Sequence, residues 1–198
     1  MRSNTHISSS VALALIPFTI KPELITTVEI VPGYLVGVII GSLFPDIDEP
    51  KSAIGIVVSK YLPFVPFLIK LIFGHRGITH QFLFFLIPLL VFFFTQSNAH
   101  YITQVFSYGF LFGIFFHQLG DMLSGGPITK GGIKDYFYPL TRSGKYITIF
   151  PRVMRCVVWD FKEKIYNLIF IGLAIYQLKI IFWGTDLWLI KILKSIFS

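Results

Sequence analysis

Long apolar stretches constrain this chain more than any other feature of its sequence. They cover residues 8–20, 24–44, 81–95, 102–119 and 166–183, with a shorter stretch at 187–197. A helix needs about 20 apolar residues to cross the ~30 Å hydrocarbon layer of a bilayer, and several of these stretches approach that length. The pattern therefore predicts an all-α, polytopic membrane helical bundle, with about four to five transmembrane helices plus interfacial helices.

The composition also indicates a membrane protein. Of the 198 residues, 54% are hydrophobic and 14% are charged, whereas soluble domains carry about 25% charged residues. Because no soluble block or linker divides the chain, we expect one integral membrane domain over residues 1–198, with an interfacial segment, the last transmembrane helix and an amphipathic tail in 141–198. The single cysteine, Cys156, excludes an internal disulfide framework. No small-residue cleavage site precedes Lys21, so we expect the signal-like N-terminus to be retained.

Threading the apolar stretches through a bilayer brings four regions of the sequence to one face. If His6 starts on that face, the chain returns to it at Asp46, leaves after His80 and comes back at His117. Residues 60–73 contain two prolines between flanking lysines, which suits a helix lying in the membrane interface. Residues with metal-binding chemistry are therefore expected to meet on one side of the membrane.

The distribution of charge indicates which side this is. Most of the 17 Lys and Arg residues fall on the His6 side, whereas the far turns contain Lys21 alone. Because Lys and Arg are enriched in cytoplasmic loops, we predict a multi-pass inner membrane protein with its site facing the cytoplasm. The net charge of +7 then reflects orientation and attraction to anionic lipid, and we predict no nucleic-acid partner. The oligomeric state stays open.

Two acidic residues follow the second apolar stretch, in the motif PDIDEP. The flanking Pro45 and Pro50 disfavour a helix, and in an extended segment Asp46 and Asp48 would face the same way. Charge beside a hydrophobic segment is costly unless something binds it. We therefore predict that both carboxylates bind a metal ion. The alternative is a solvated turn with a helix-capping aspartate.

Histidines occur in two further motifs. In GHRGITHQF, the glycines beside His75 permit a loop that turns it toward His80, which opens the next helix. In FFHQLGDM, His117 and Asp121 are four residues apart and share one face of a helix. Both motifs are predicted to supply metal ligands, although a His–Asp hydrogen bond that caps the helix would also explain the second.

The predicted ligands are all imidazoles and carboxylates: His6, Asp46, Asp48, His75, His80, His117 and Asp121. His6 belongs to the set on topology alone, and His100 is excluded because it falls in a far turn. Nitrogen and oxygen ligands without a thiolate favour Zn²⁺, with Mn or Fe as alternatives. Since these candidates outnumber the four ligands of one tetrahedral zinc ion, we predict two ions.

The three motifs resemble those of a known family, the LexA-regulated, inner-membrane metal-dependent hydrolases of bacteria and archaea. PDIDEPKSAIG (45–55), GHRGITHQF (74–82) and HQLGDMLSGG (117–126) occur in the family's order after the early His6, so the likeness covers residues 1–140. One departure is Glu49, where members often carry histidine in a PDIDHP pattern. More remotely, the His/Asp pattern is similar to zinc-dependent phospholipase C and the P1-type nucleases. The resemblance implies hydrolysis at a metal centre.

We therefore hypothesise a membrane-embedded, metal-dependent hydrolase that acts on a phosphoester, with a membrane lipid or lipid-associated molecule as substrate. The metals would activate water, and an unligated Asp48 or Glu49 would serve as general base. Arg76 would hold the phosphate, although it fits equally well as a positive-inside residue. Two alternatives stay open: a metal- or proton-coupled transporter, and a membrane protein with a purely structural metal site.

Overall fold

The computed structural model describes residues 3–25, 30–73, 78–80, 82–124 and 161–183. In chain order their α-helices are α1 (Ser3–Ile20), α2 (Ile30–Leu43), α3 (Ala53–Tyr61), α4 (Phe64–Phe73), α5 (Phe82–Asn98), α6 (Tyr101–Ser124) and α7 (Phe161–Trp183). Short 3₁₀ turns occur at Pro22–Leu24, Phe44–Asp48 and Ile78–His80. The predicted all-α class is confirmed. The predicted interfacial stretch before α7 and the amphipathic tail lie outside the described residues.

Two of the described segments are long and apolar enough to cross a membrane. Ile30–Asp48 has 19 residues and Phe161–Phe182 has 22, close to the ~20 that a crossing needs. A further apolar segment, Phe84–Ser97, is shorter. Helices α1 and α6 are 18 and 24 residues long, and neither is among the segments that are apolar enough over a membrane-spanning length. The number of crossings therefore stays a prediction.

The most extensive contact between described helices joins α2 and α6. Glycines four residues apart on α2 make this contact possible. A Cβ atom at Gly37 would overlap the carbonyl oxygen of Phe106, and one at Gly41 would overlap that of Phe110. The backbone of α6 therefore occupies the space where side chains of α2 would otherwise stand.

Glycines on α6 make the same contact in return. A Cβ atom at Gly109 would overlap the carbonyl oxygen of Tyr34, and one at Gly113 would overlap that of Val38. Small residues four apart on facing helices allow the two backbones to touch, as in many membrane helix pairs. Since the obstructing atoms belong to the backbone, they cannot move aside as a side chain could. Helices α2 and α6 thus form the centre of the described fold.

Helix α1 packs on this pair and also on α7. Its residues Ala12 and Leu15 are fully buried and share an apolar cluster with Val31 of α2 and Ala174 of α7. Small side chains such as Ala12 permit close approach of the neighbouring helices, as on α2 and α6. The apolar half of α1 is therefore enclosed by two other helices.

Polar side chains align the first turns of α1 with α7. The Thr5 hydroxyl donates to the Glu163 carboxylate at 3.2 Å, and the Ser8 hydroxyl donates to the Asn167 side-chain oxygen at 2.7 Å. Thr5 and Glu163 are almost fully buried, so losing one partner would leave a buried polar group and cost about 1–3 kcal/mol. These bonds fix the N-terminal end of α1, where His6 lies.

The motif PDIDEP differs from its prediction, because residues Phe44–Asp48 form a 3₁₀ turn and not an extended segment. Pro45 lies in the first turn of this element, where a helix does not need the missing N–H. The inference from the flanking prolines was therefore wrong. A 3₁₀ helix has about three residues per turn, so Asp46 and Asp48, two residues apart, do not face the same way.

Helices α3 and α4 form a short hairpin directly after this turn. Ser52 caps α3, because its hydroxyl oxygen accepts the N–H of Gly55 at 2.9 Å. The same hydroxyl donates to the carbonyl oxygen of Asp46 at 2.7 Å. The helix predicted within 60–73 is present as α4, and its location in a membrane interface stays a prediction.

We predict that Gly109→Ala destabilises the protein, whereas Gly172→Ala does not. The added methyl group at Gly109 would overlap backbone of α2, while a Cβ at Gly172 meets no atom within 4 Å. Overpacking against backbone should lower the free energy of unfolding by about 3 kcal/mol, and the control should be neutral or slightly stabilised by its better helix propensity. Thermal unfolding in detergent, followed by circular dichroism, measures both. Equal melting temperatures for the two variants would contradict the proposed backbone contact.

Candidate metal centre

His117 lies at the centre of a cluster of imidazoles and carboxylates. Its side chain is fully buried on α6, and its Nδ1 atom lies 2.6 Å from the carbonyl oxygen of Ser42 on α2. Because a carbonyl oxygen can only accept, Nδ1 carries the hydrogen and donates it. The Nε2 atom of a neutral His117 therefore keeps its lone pair, which is the arrangement found in metal-binding histidines.

His80 directs a second ring nitrogen to the same point. The Nε2 atoms of His80 and His117 lie 3.3 Å apart. His80 ends the 3₁₀ turn before α5, and this turn is attached to α6 because the side-chain amide of Gln118 donates to the carbonyl oxygen of Thr79 at 3.3 Å. The Thr79 hydroxyl lies 3.0 Å from Nδ1 of His80. In both imidazoles a polar group thus lies within hydrogen-bonding distance of Nδ1, while the Nε2 atoms converge.

Two carboxylates complete this group of potential ligands. An Asp46 oxygen lies 3.4 Å from Nε2 of His80 and 3.8 Å from Nε2 of His117. The Oδ2 atom of Asp121 lies 3.4 Å and 3.5 Å from the same two nitrogens. These distances exceed the 2.7–3.2 Å or so of good hydrogen bonds. Three of the four match the ~3.3–3.5 Å that separates ligand atoms around a tetrahedral zinc ion with bonds of about 2.0–2.2 Å, and the 3.8 Å between Asp46 and His117 is longer. The donor set and its spacing therefore fit a divalent metal ion.

His6 forms a second group with Asp121 and His117. The His6 ring stacks on the ring of His117 with centroids 3.7 Å apart, and its Nε2 atom lies 3.5 Å from Oδ1 of Asp121. Within the described part of the chain, neither ring nitrogen of His6 has a hydrogen-bond partner, although the residue is fully buried. A buried imidazole without hydrogen bonds is unfavourable, and metal coordination would remove that cost.

Asp121 connects the two groups. Its Oδ2 atom faces the Nε2 atoms of His80 and His117, while its Oδ1 atom faces His6. The potential ligand atoms form two sets of three, His6–His117–Asp121 and Asp46–His80–His117. Within each set, all the atoms lie within 4.8 Å of one another. A carboxylate with one oxygen toward each set is suited to bridge a pair of ions.

The structure brings five of the predicted ligands together. They are His6, Asp46, His80, His117 and Asp121, and they meet because the ends of the elements that carry them meet. His100 is exposed in the turn between α5 and α6, as expected. His75 and Arg76 lie outside the described residues. The role of all of them as ligands stays a prediction.

Asp48 and Glu49 take different positions from Asp46. Asp48 is fully buried, and it is in neither of the two ligand groups found among the described residues. The Glu49 carboxylate accepts a hydrogen bond from the backbone N–H of Lys51 at 3.4 Å, at the start of the hairpin. Either could still supply a general base, so that prediction stays open.

Sequence reasoning missed the residues that support the cluster. Ser42, Thr79 and Gln118 hold His117 and the His80 turn, and Thr79 and Gln118 stand directly beside the predicted ligands His80 and His117. A polar residue next to a predicted ligand was a usable signal for Thr79 and Gln118. The Ser42 contact was not visible, because it involves a backbone carbonyl that any residue could supply.

Known proteins that resemble this chain are inner membrane proteins. Residues 1–190 match the family model described as YdjM inner membrane protein. Two curated relatives, from Escherichia coli (strain K12) and Shigella flexneri, are named Inner membrane protein YdjM. Each is 35% identical to this chain over 86 residues, which is 43% of this chain and 42% of the relative. The matched region thus spans less than half the length of these relatives. No solved structure matches the chain.

The two ligand groups predict a graded loss of metal on substitution. Zinc-loaded wild type should hold about two ions per chain, since Asp121 faces both groups. His6→Ala should retain the ion of the Asp46–His80–His117 group, whereas Asp121→Ala, which removes the carboxylate that faces both groups, should lower the metal content further. Elemental analysis after gel filtration measures the ratio. His100→Ala, in the far turn, is the control and should keep the wild-type content. A His6→Ala variant with undiminished zinc would exclude the second group.

Proposed function

We propose that this chain, which belongs to the YdjM inner membrane protein family, is a metal-dependent hydrolase. It crosses the membrane several times, holds two divalent ions, zinc in preference to Mn or Fe, and hydrolyses a phosphoester at the cytoplasmic face. The observation that carries the proposal is the convergence of three imidazoles and two carboxylates at zinc-like separations. The orientation rests on the excess of Lys and Arg on that side of the sequence.

The first ion would be held by Asp46, His80, His117 and Asp121. The second would be held by His6 and the other oxygen of Asp121, with His75 as a predicted further ligand. When bound, such ions supply an activated water and polarise the ester, as in other metal-dependent hydrolases. Hydrolysis adds one water across a P–O bond and releases an alcohol and a phosphate, so no oxidant or reductant is needed.

The chain's own residues prepare this site in three ways. The Ser42 carbonyl holds the His117 ring in the tautomer that presents Nε2. Glu49, partly exposed beside the cluster, is the better placed of the two predicted general bases for contact with solvent, because Asp48 is fully buried. Arg76 stays the predicted phosphate-binding residue, and its position lies outside the described residues.

A transporter is the principal rival, since ionisable residues inside membrane proteins often mark an ion path. The far end of α5 and α6 does carry polar residues, but they bond to one another. The amide of Gln96 donates to the Ser107 hydroxyl at 3.0 Å, and the Thr95 hydroxyl donates to the same oxygen at 3.0 Å. Because these polar groups bond to one another, they are explained by the packing of α5 against α6 and not by an ion path. The hydrolase is therefore the better supported proposal.

Proteoliposome assays test the two functions side by side. With zinc present, the wild type should hydrolyse bis(p-nitrophenyl) phosphate or phospholipid, and Asp46→Asn and His117→Ala should lower the rate at least 100-fold or so, because even residues that only support metal ligands cost about 10–100-fold. His100→Ala should retain activity. Zinc uptake or proton flux that disappears in the same two variants, without hydrolysis by the wild type, would favour the transporter instead.

A further inference from the structure

The α3–α4 hairpin, residues 53–73, is too short to cross a bilayer. Helix α3 has 9 residues and helix α4 has 10, so each is about 15 Å long, half of the ~30 Å hydrocarbon layer. The two helices are separated at Leu62-Pro63, and a proline cannot continue α3. In a protein of an inner membrane family, such a hairpin fits at the surface of the bilayer.

The hairpin exposes large apolar side chains. Seven of them are between 55% and 73% exposed: Ile56, Val57, Tyr61, Leu62, Phe64, Phe67 and Leu71. Their combined area would be unfavourable in water and suits contact with acyl chains. Lys60 extends its amine to 5.6 Å from the centre of the Tyr61 ring. A basic residue beside an aromatic ring is typical of the headgroup level of a membrane.

The hairpin is also fastened to the candidate metal centre. Both α3 and α4 pack on the Phe44–Asp48 turn. The Ser52 hydroxyl bonds the carbonyl oxygen of Asp46, and a Cβ at Gly55 would overlap the carbonyl oxygen of Glu49. The backbone that carries Asp46 and the first turn of α3 are therefore in direct contact.

The cluster is most accessible at this point. The Asp46 side chain is 15% exposed, whereas those of His6, His80, His117 and Asp121 are between 0% and 8% exposed. A substrate would therefore reach the ligands past Asp46. That approach begins at the turn on which the apolar hairpin packs.

We propose that the substrate is a bilayer phospholipid, whose phosphoester lies at Asp46 while its acyl chains lie against the exposed face of α3 and α4. This inference rests on the proposed hydrolase function and narrows its substrate class from phosphoesters in general. The hairpin lies in the headgroup region, and its short length keeps the ester at the depth of the metal centre. A water-soluble phosphodiester would gain nothing from the apolar residues.

The decisive experiment compares two substrates in the same proteoliposomes with zinc. Phe64→Ser/Phe67→Ser should lower the rate of phospholipid hydrolysis at least tenfold or so. The reason is that burying one phenylalanine side chain against acyl chains strengthens binding by about that factor. Hydrolysis of bis(p-nitrophenyl) phosphate should stay within about twofold of wild type, since this soluble substrate does not bury the ring faces. Leu90→Ser/Phe93→Ser on α5 is the matched control, with side chains 70% and 60% exposed at the same spacing, and should change neither rate.

The outcomes separate the inference from the function on which it rests. Equal losses on both substrates, or no loss on phospholipid, would overturn the hairpin's role and leave the hydrolase intact. Hydrolysis of neither substrate by the wild type would overturn the hydrolase itself, and the lipid assignment with it.

A second readout is independent of activity. A fluorescent label on Leu71→Cys, in a Cys156→Ser background, should be quenched more by lipids spin-labelled near the headgroup than by lipids labelled at the chain end. Leu71 is 67% exposed, so the label should be tolerated. Quenching by a water-soluble agent alone would place the hairpin outside the membrane and exclude the proposed contact with acyl chains.

Discussion

The backbone contact between α2 and α6 is the constraint on which the rest of the structure depends. Glycines on each helix allow its neighbour's carbonyl groups to approach to contact distance. One consequence is local and chemical: Ser42, one residue after Gly41, brings its carbonyl oxygen within 2.6 Å of Nδ1 of His117. Packing of two apolar helices thus sets the tautomer of a buried histidine. A side chain at Gly41 or Gly113 would separate these atoms and release the ring.

Asp121 shares α6 with His117, and each of the other three donors reaches His117 through a different element. Asp46 follows α2 in a 3₁₀ turn, and His80 ends another turn that Gln118 attaches to α6. His6 arrives on α1, whose first turn is bonded to α7 through Thr5. Helix α7 therefore takes part in forming the site, although it carries none of the five donors. Because the supports are separate, the two ligand groups can differ in stability.

Much of this arrangement could be predicted because it follows from short-range rules. His117 and Asp121 share a helix face by their spacing, and the convergence of His6, Asp46 and His80 follows from alternating helix directions. What could not be predicted depends on tertiary contact or on small energy differences. The partner of each histidine ring is one such feature, and the fold of the segment around Pro45 is another.

The PDIDEP segment shows this limit most clearly. Prolines on both sides disfavour a helix, yet Pro45 suits the first turn of a short 3₁₀ element. This change separates Asp46, which faces the cluster, from Asp48, which is fully buried. The glycines of α2 and α6 are a different case. Their spacing of four is visible in the sequence and is a known sign of close helix pairs, but it does not show which two helices pack together.

The central claim is that these five side chains bind metal ions together, with His117 acting through Nε2. X-ray absorption spectroscopy at the zinc edge of the loaded, purified protein tests it most directly. We expect a first shell of nitrogen and oxygen at about 2.0–2.2 Å, with outer-shell scattering from imidazole rings and a second metal at roughly 3.5–4 Å. A shell of oxygen atoms alone, without imidazole scattering, would mean that zinc is bound elsewhere and would contradict the account.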